Sequence, residues 1–418
     1  MDMAIAKVRW RPLAVAFLIA CTLSDRQPAA ARLVAYTANY DSSSLSVIDV
    51  GERAVVQTLS VCSRPATIAV TADGQRAYVG CLDQVSVVNT STNMVAAVIP
   101  VQGFVSAAAF TPRGDELVIG RILPNPSGQQ GVLSVIDVAR NSVAVSIPLP
   151  GLPSDLAIPR SGAAAYVSSL GYPGISVVDL HTHSIRTTIP VEPGSSMPSH
   201  LRLSPSERNL YVTTATTALN DVFGAVVVID VEQEKTLGRI EGRGGPTAVA
   251  VSPDGATLYV TELVYPVVHP PLHGTSCGHV SVVELATSAQ LMAIPTGCYP
   301  AAIALTPDGQ QAYVANRAGN SVTVIDAASN RVINTIPVGA GPLDIAIATA
   351  GATPTPCSGD CNGDGAVQID ELVTLVNIAL GAVPAAQCSA ADGNQDGRIT
   401  VAEILSAVDA ALNGCDAG

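Results

Sequence analysis

The chain is poor in charge and in aromatic rings: of 418 residues, 13% are charged and 4% aromatic, with a single tryptophan. With 48% of residues hydrophobic, this excludes a disordered polymer, which needs many charges and few apolar groups. A basic surplus is also missing. The formal charge of −13 excludes a nucleic-acid partner, which demands a cationic patch, and suits cations or a basic partner instead. No apolar run is long enough to span a bilayer, the candidate from Pro12 to Leu23 being about 12 residues long. There is no Cys-x-x-Cys-His run for covalent haem, no Gly-x-Ser-x-Gly turn for a nucleophilic serine and no phosphate-cradling glycine loop. What is abundant is Gly (35), Pro (29) and Val, the composition of short strands and tight turns. The length allows two or three domains.

The N-terminus reads as an export signal. Lys7, Arg9 and Arg11 precede the apolar stretch and Ala29, Ala30 and Ala31 follow it, the order of a secretory signal peptide. Cleavage after Ala31 removes residues 1–31, with four basic and two acidic side chains, and takes the charge from −13 to −15. Leu18-Ile19-Ala20-Cys21 also matches a bacterial lipobox, an alternative that leaves a lipid-anchored Cys21 at the new N-terminus. Either route places the protein in the periplasm, at the bacterial cell surface or outside the cell.

Residues 33–349 repeat. One strand recurs seven times: Leu45-Ser-Val-Ile-Asp49, Val85-Ser-Val-Val-Asn89, Leu133-Ser-Val-Ile-Asp137, Ile175-Ser-Val-Val-Asp179, Val226-Val-Val-Ile-Asp230, Val280-Ser-Val-Val-Glu284 and Val322-Thr-Val-Ile-Asp326. The spacings of 40, 48, 42, 51, 54 and 42 are those of propeller blades. A strand centred on tyrosine precedes it, as in Ala77-Tyr78-Val79, Leu258-Tyr259-Val260 and Ala312-Tyr313-Val314. An apolar inner strand comes earlier still, joined by turns such as Pro253-Asp254-Gly255 and Pro307-Asp308-Gly309. A fourth strand ends in Ile-Pro at Pro100, Pro148, Pro190, Pro295 and Pro337, which predicts the blade's outer edge, because proline cannot donate to a ladder. Residues 33–61 supply only three strands, and Pro342–Ile347 supply one extra inner strand, so the C-terminal strand is expected to complete the first blade. These units resemble the YVTN family of seven-bladed β-propellers, also called surface-layer-type or lactonase-like repeats. Tyr313-Val314-Ala315-Asn316, and Ser252-Pro253-Asp254-Gly255 before Tyr259-Val260-Thr261, carry the likeness. It implies an all-β seven-bladed propeller over 32–349, in a family that includes cell-surface proteins, lactonases and electron-transfer subunits.

The connections between the tyrosine strand and the Ser-Val strand are long in four blades: Arg121–Gly131, Ser169–Gly174, Thr214–Gly224 and Glu262–His279. Insertions on one face mark a binding face. The inner strands begin on that face, where Asp155, His200 and Asp344 occupy positions that other blades fill with Thr67, Ala107, Ala248 and Ala302. Glu262 and Arg121 are candidates to face the same pocket, against the commoner reading of a charged loop residue as solvated. His269, His273, Cys277 and His279 form a transition-metal ligand set on the longest loop; the preferred reading is a proline-stiffened loop with solvated histidines, stapled by Cys277 to Cys298. Cys62 and Cys81 repeat that relation, so these two pairs are expected as disulfides. His181-Thr182-His183 reads as a solvated turn on the opposite face.

Beyond a Pro/Thr linker at 350–356, residues 357–418 hold two twelve-residue loops 32 residues apart. Asp360, Asn362, Asp364, Ala366, Gln368 and Glu371 take ligand positions 1, 3, 5, 7, 9 and 12 of the first EF-hand template; Asp392, Asn394, Asp396, Arg398, Thr400 and Glu403 take them in the second. Gly365 and Gly397 stand at the sharp turn, and Val367 and Ile399 at position 8 are expected to pair. Both loops lead into helices, with Leu372, Leu375, Val376, Ala379 and Leu380 on one apolar face and Ile404, Leu405, Val408, Ala411 and Leu412 on the other. Calcium is the expected cofactor. This loop-then-helix duplication resembles a dockerin, which implies a small α-helical, EF-hand-type docking module with a cohesin-like partner. Glu371 and Glu403 stand where dockerins usually have Asp. Cys357, Cys361, Cys388 and Cys415 are expected to pair among themselves. The sequence thus predicts a monomeric, exported, non-catalytic propeller that binds a ligand or a protein or cell-surface partner through its loop-rich face. The alternative is a lactonase-like hydrolase at the channel mouth.

Overall fold

The repeats fold into six β-sheets that contain seven four-stranded blades, because two blades share a strand. The computed structural model describes residues 32–126, 128–191, 197–218, 221–263, 277–350, 358–361, 367, 369–392 and 397–413. Blade 1 holds β1 (Arg32–Asn39), β2 (Ser44–Asp49) and β3 (Ala54–Ser60). Blades 2 and 3 form one sheet from β4 (Thr67–Val70), β5 (Arg76–Gly80), β6 (Leu82–Asn89), β7 (Met94–Phe110), β8 (Glu116–Asn125), β9 (Gly128–Asp137) and β10 (Ser142–Pro148). Blade 4 comprises β11 (Leu152–Ala157), β12 (Ala164–Leu170), β13 (Gly174–Asp179) and β14 (Ser184–Pro190). Blade 5 comprises β15 (Met197–Leu203), β16 (Asn209–Ala218), β17 (Asp221–Asp230) and β18 (Lys235–Glu241). Blade 6 comprises β19 (Gly245–Val251), β20 (Thr257–Leu263), β21 (Cys277–Glu284) and β22 (Ala289–Cys298). Blade 7 comprises β23 (Pro300–Leu305), β24 (Gln311–Asn316), β25 (Ser321–Asp326) and β26 (Arg331–Pro337).

The last strand, β27 (Pro342–Ala350), pairs antiparallel with β1, from Arg32↔Ala350 to Asn39↔Pro342, and completes blade 1. The inner strands β27, β4, β7, β11, β15, β19 and β23 pack each against the next, and β23 returns to β27. The result is a closed, propeller-like all-β ring, which leaves no free inner edge.

The core lies between blades rather than within them. Seven buried clusters each join two neighbours, such as Tyr313, Val322 and Ile336 of blade 7 with Ala35, Ile48 and Ile345 of blade 1. The recurring tyrosine is buried in six blades, at Tyr36, Tyr78, Tyr166, Tyr211, Tyr259 and Tyr313. In two of them the hydroxyl reaches the next blade: Tyr313 donates to the Val50 carbonyl at 3.3 Å and Tyr166 to that of Val231 at 3.1 Å. A buried phenol keeps its polar tip satisfied in this way. The turns follow their chemistry, since Gly255 and Gly309 adopt φ +72° and +70° while Asp254 and Asp308 accept the hydroxyls of Ser252 and Thr306.

Two expectations about connections change. Residues 121–131 and 214–224 are mostly ladder rather than loop, since pairing continues to Asn125↔Gly128 and Ala218↔Asp221. β-Branched and apolar residues, as in Thr213-Thr214-Ala215-Thr216-Thr217, let the pleat run on past the blade. The outer strand of blade 2 also does not end at Pro100: β7 continues for 17 residues and becomes the inner strand of blade 3.

Disulfides join Cys62 to Cys81, Cys277 to Cys298 and Cys361 to Cys388. Cys357 and Cys415 lie outside the described residues. Beyond the ring are α1 (Ile369–Ala379), a short 3-10 turn (Ala385–Ala391) and α2 (Val401–Asn413). Val367 and Ile399 fall in one buried cluster with Leu375, Ile378, Cys388, Ala391 and Ala407. The apolar faces differ from expectation. Val376, Leu380 and Leu405 are exposed, and Ile378 and Ala407 are buried in their place. A two-helix module has one narrow seam, and five apolar positions per helix exceed what that seam covers. Among the described residues no helix is long and apolar enough to cross a membrane.

Candidate functional site

The inner strands carry a bulge near their start. Ladder register shifts between Pro153 and Asp155, Pro198 and Leu201, Pro246 and Ala248, and Pro300 and Ala302. Proline brings no N–H to the break, and a hydroxyl from the tyrosine strand takes up the amide that the shift frees. The Asp155, His200 and Ala248 amides donate to Ser168, Thr213 and Thr261 at 3.1, 2.9 and 2.9 Å. In three blades the position after the bulge carries a side chain that reaches the axis of the ring.

Asp155, His200 and Asp344 occupy that position in three blades and together line an axial cavity of about 530 Å³. Its other lining residues include Pro253, Thr306 and Pro307, so it extends toward the short-turn face rather than stopping at the loop-rich mouth. Asp155 Oδ2 accepts the Leu201 amide of the next blade at 2.8 Å, and Asp344 Oδ2 accepts the Ile68 amide across the closing seam at 2.8 Å. Their second oxygens accept the amides of Leu156 and Ile345. His200 Nδ1 lies 3.5 Å from Asp155 Oδ2, has no hydrogen-bond partner, and its side chain keeps 20% of its surface open to the channel.

Burial holds the His200 imidazole below its ordinary pKa of 6.5; Arg202 acts in the same direction, and Asp155 and Asp344 oppose it. Burial pushes Asp344 above 3.8, against its two amide bonds and His200. These shifts act oppositely on stability. An unfolded chain protonates histidine near 6.5 while folded His200 resists, so its contribution is lost as pH falls through that value. Folded Asp344 keeps its proton to higher pH than the unfolded chain, so its contribution is lost as pH rises from 3.8 through the folded value. His200→Gln is expected to leave Tm near pH 7.5 almost unchanged and to shrink the fall in Tm between about pH 7.5 and 5.5. An unchanged fall in scanning calorimetry would show that this imidazole does not titrate in that window.

Three residues after the tyrosine comes a second recurring position, held by Asn39, Cys81, Arg121, Ser169, Thr214, Glu262 and Asn316, and all seven are buried. These side chains brace the loop-rich end of each blade. Asn39 donates to Ser44 and Ser46, and Asn316 to Ser321 and Thr323. Arg121 does not face the pocket: it donates to Ser134, Ser146 and the Gln102 carbonyl, and burial lowers its pKa. Glu262, 1% exposed, sits 3.0 Å from His279 Nε2 on the paired strand and accepts the Arg243 amide. The repeat alignment carries this signal as a polar residue at this position in six of the seven blades, Cys81 being the exception.

His269 and His273 lie outside the described residues, as do Asn362, Asp364, Ala366, Gln368, Asn394 and Asp396. The described parts of the two C-terminal loops fold back on themselves. Asp360 and Glu371 are buried, and the Cys361 amide donates to Glu371 Oε1 at 2.9 Å. In the second loop the Gly397 amide donates to Asp392, and the amide and hydroxyl of Thr400 donate to Glu403 Oε2 at 2.8 and 2.9 Å. Among the described residues no three His, Cys, Asp or Glu side chains gather closely enough to hold a metal ion.

The loop-rich face also carries a cluster that the sequence did not single out. Tyr40 meets Phe104 edge-on at 6.0 Å. The guanidiniums of Arg64 and Arg317 lie 5.9 and 5.4 Å from the Tyr40 ring centre, and Arg317 is 5.8 Å from that of Tyr299. These residues come from blades 1, 2, 3 and 7 and converge only when the ring closes.

A solved structure of Kuenenia stuttgartiensis hydrazine synthase is similar at a TM-score of 0.60 and 20% identity, over 69% of this chain and 90% of that one. A functionally unknown protein from Desulfotomaculum acetoxidans DSM 771 is similar at 0.62 and 13% identity, over 75% of this chain and 98% of that one. At these identities the fold alone is shared. No protein-family model and no curated protein matches the chain.

Proposed function

We propose that the chain is an exported, non-catalytic seven-bladed propeller of the YVTN type, which binds a ligand or protein partner through its loop-rich face. A C-terminal calcium-binding, dockerin-like module docks it to a cohesin-like or other surface partner, or stabilises it. One observation carries the non-catalytic reading. The two channel carboxylates, Asp155 and Asp344, each accept an amide of the neighbouring blade, so they hold blades together rather than standing free for a substrate. The oxygen-rich donor set of the C-terminal loops fits a hard cation such as calcium.

The hydrolase alternative rests on His200, whose unpartnered Nδ1 beside Asp155 and lowered pKa suit a general base. Asp155→Asn and Asp344→Asn separate the readings. An amide oxygen replaces each carboxylate as a neutral acceptor, and each substitution is expected to cost about 1–2 kcal/mol of stability with no activity to lose. Turnover on a panel of lactones and esters, abolished by His200→Gln at unchanged Tm, would instead establish the hydrolase.

A further inference from the structure

Five arginines of this acidic chain have carboxylate partners: Arg32 with Asp49, Arg140 with Asp137, Arg160 with Glu207, Arg186 with Glu234 and Arg239 with Glu241. Among the described residues Arg64 and Arg317 have none, and their guanidiniums converge on the single ring of Tyr40. Two like charges beside one ring, neither of them in an ion pair, make a local cationic spot in a chain of net charge −13. The backbone beneath them is strained as well. Arg64 and Tyr299 both adopt φ +55°, immediately before Pro65 and Pro300; the equivalent residue before Pro342 is Gly341, at φ +70°. Glycine occupies that region without penalty, and arginine or tyrosine does not. What these residues supply in return is side chains over the loop-rich face, with Tyr299 36% exposed beside Arg317.

We infer that this cluster is a binding site for an acidic saccharide, a uronate unit whose apolar ring face lies on tyrosine and whose carboxylate sits in the arginine fork. The inference rests on the loop-rich-face reading and names the ligand class for it. A planar guanidinium matches a carboxylate with two parallel hydrogen bonds, and the exposed ring of Tyr299 beside Arg317 offers the sugar a low-entropy stacking face. The surroundings decide against a nucleic acid: a polyphosphate needs a continuous basic stripe, and here two arginines stand in an acidic surface. A single uronate carboxylate is matched by that local pair.

Calorimetry on the full chain, titrated with tetra-galacturonate in low salt without added calcium, tests this. Galactotetraose and inorganic sulfate serve as comparison ligands. The expected result is galacturonate binding that weakens with salt and falls at least tenfold in Arg64→Gln/Arg317→Gln at unchanged Tm, while the control Arg140→Gln binds as before. Tyr299→Ala, at a surface position, is expected to weaken binding as well. Absence of galacturonate binding, or equal binding by the double arginine variant, overturns the inference. Galactotetraose bound as tightly as galacturonate, and lost in Tyr299→Ala, overturns the acidic class and keeps the face as a binding surface. Galacturonate binding abolished by Asp155→Asn or Asp344→Asn but not by the arginine changes overturns both.

Discussion

Deletion of residues 342–349 is expected to open the ring. β1 would lose its ladder to β27, and blade 1 would keep three strands. Buried Ile345 and the packing around it would go, together with the bond from the Ile68 amide to Asp344. One buried and two half-buried large aliphatic side chains and a row of edge hydrogen bonds amount to about 5 kcal/mol, comparable to the whole stability of many domains. The exposed edge of β1 would then recruit other chains. Light scattering should show oligomers, and the melting transition should fall by at least ~10 °C. A monomer with unchanged melting would refute closure by β27.

The second large effect is expected on calcium removal. Residues 357–418 hold nine acidic side chains and one basic one, Arg398. Helices of 11 and 13 residues are marginal alone in water. With calcium bound, the repulsion among Asp360, Asp364 and Glu371, and among Asp392, Asp396 and Glu403, is relieved, and each loop is tied to the helix that follows it. Calorimetry of the full chain should show two sites, with Kd of about 10⁻³ M or tighter. Chelation should lower the helical signal, and more so once Cys361–Cys388 is reduced. Glu371→Gln and Glu403→Gln should each remove one site, because the bidentate anchor is lost. No heat of binding, with an unchanged circular dichroism spectrum, would mean that neither loop is a calcium site.

The architecture was legible because its signals repeat. Seven Ser-Val strands, the Asp-Gly turns and the terminal Ile-Pro pairs each specify backbone geometry locally, and seven copies remove the ambiguity of any one. The closing strand was legible from counting, since 33–61 lacks one strand and Pro342–Ile347 supplies it. The axial residues Asp155, His200 and Asp344 were found by the same alignment, as the polar exceptions at an otherwise small or apolar position. What escaped depends on distance between repeats. Nothing in the local sequence of Tyr40, Arg64, Phe104 or Arg317 announces that blades 7, 1, 2 and 3 bring them together. Arg121 was misplaced because its hydroxyl partners, Ser134 and Ser146, lie on strands whose register the sequence does not print. The hairpin extensions were taken for loops because glycine and proline near a turn mark its tip as readily as its start. The helices were over-assigned to core because an apolar stripe shows which face is greasy, not how much of it a small partner covers.

Blade 1 also sets a timetable for folding. Its strand β1 is among the first segments of the ring to be synthesised, and its partner β27 is the last, more than 300 residues later. Tyr36 and Ala35, fully buried in the finished ring, can pair with β2 early but must wait for β27 on their other side while six blades form. Bringing such distant segments together is slow, since the entropy of the intervening chain must be overcome before any contact rewards it. The side of the molecule that holds the seam is therefore the last to become native and the first exposed to other chains during biogenesis. The Tyr40 cluster sits on that seam, so its ligand surface comes into being only at the final step of assembly.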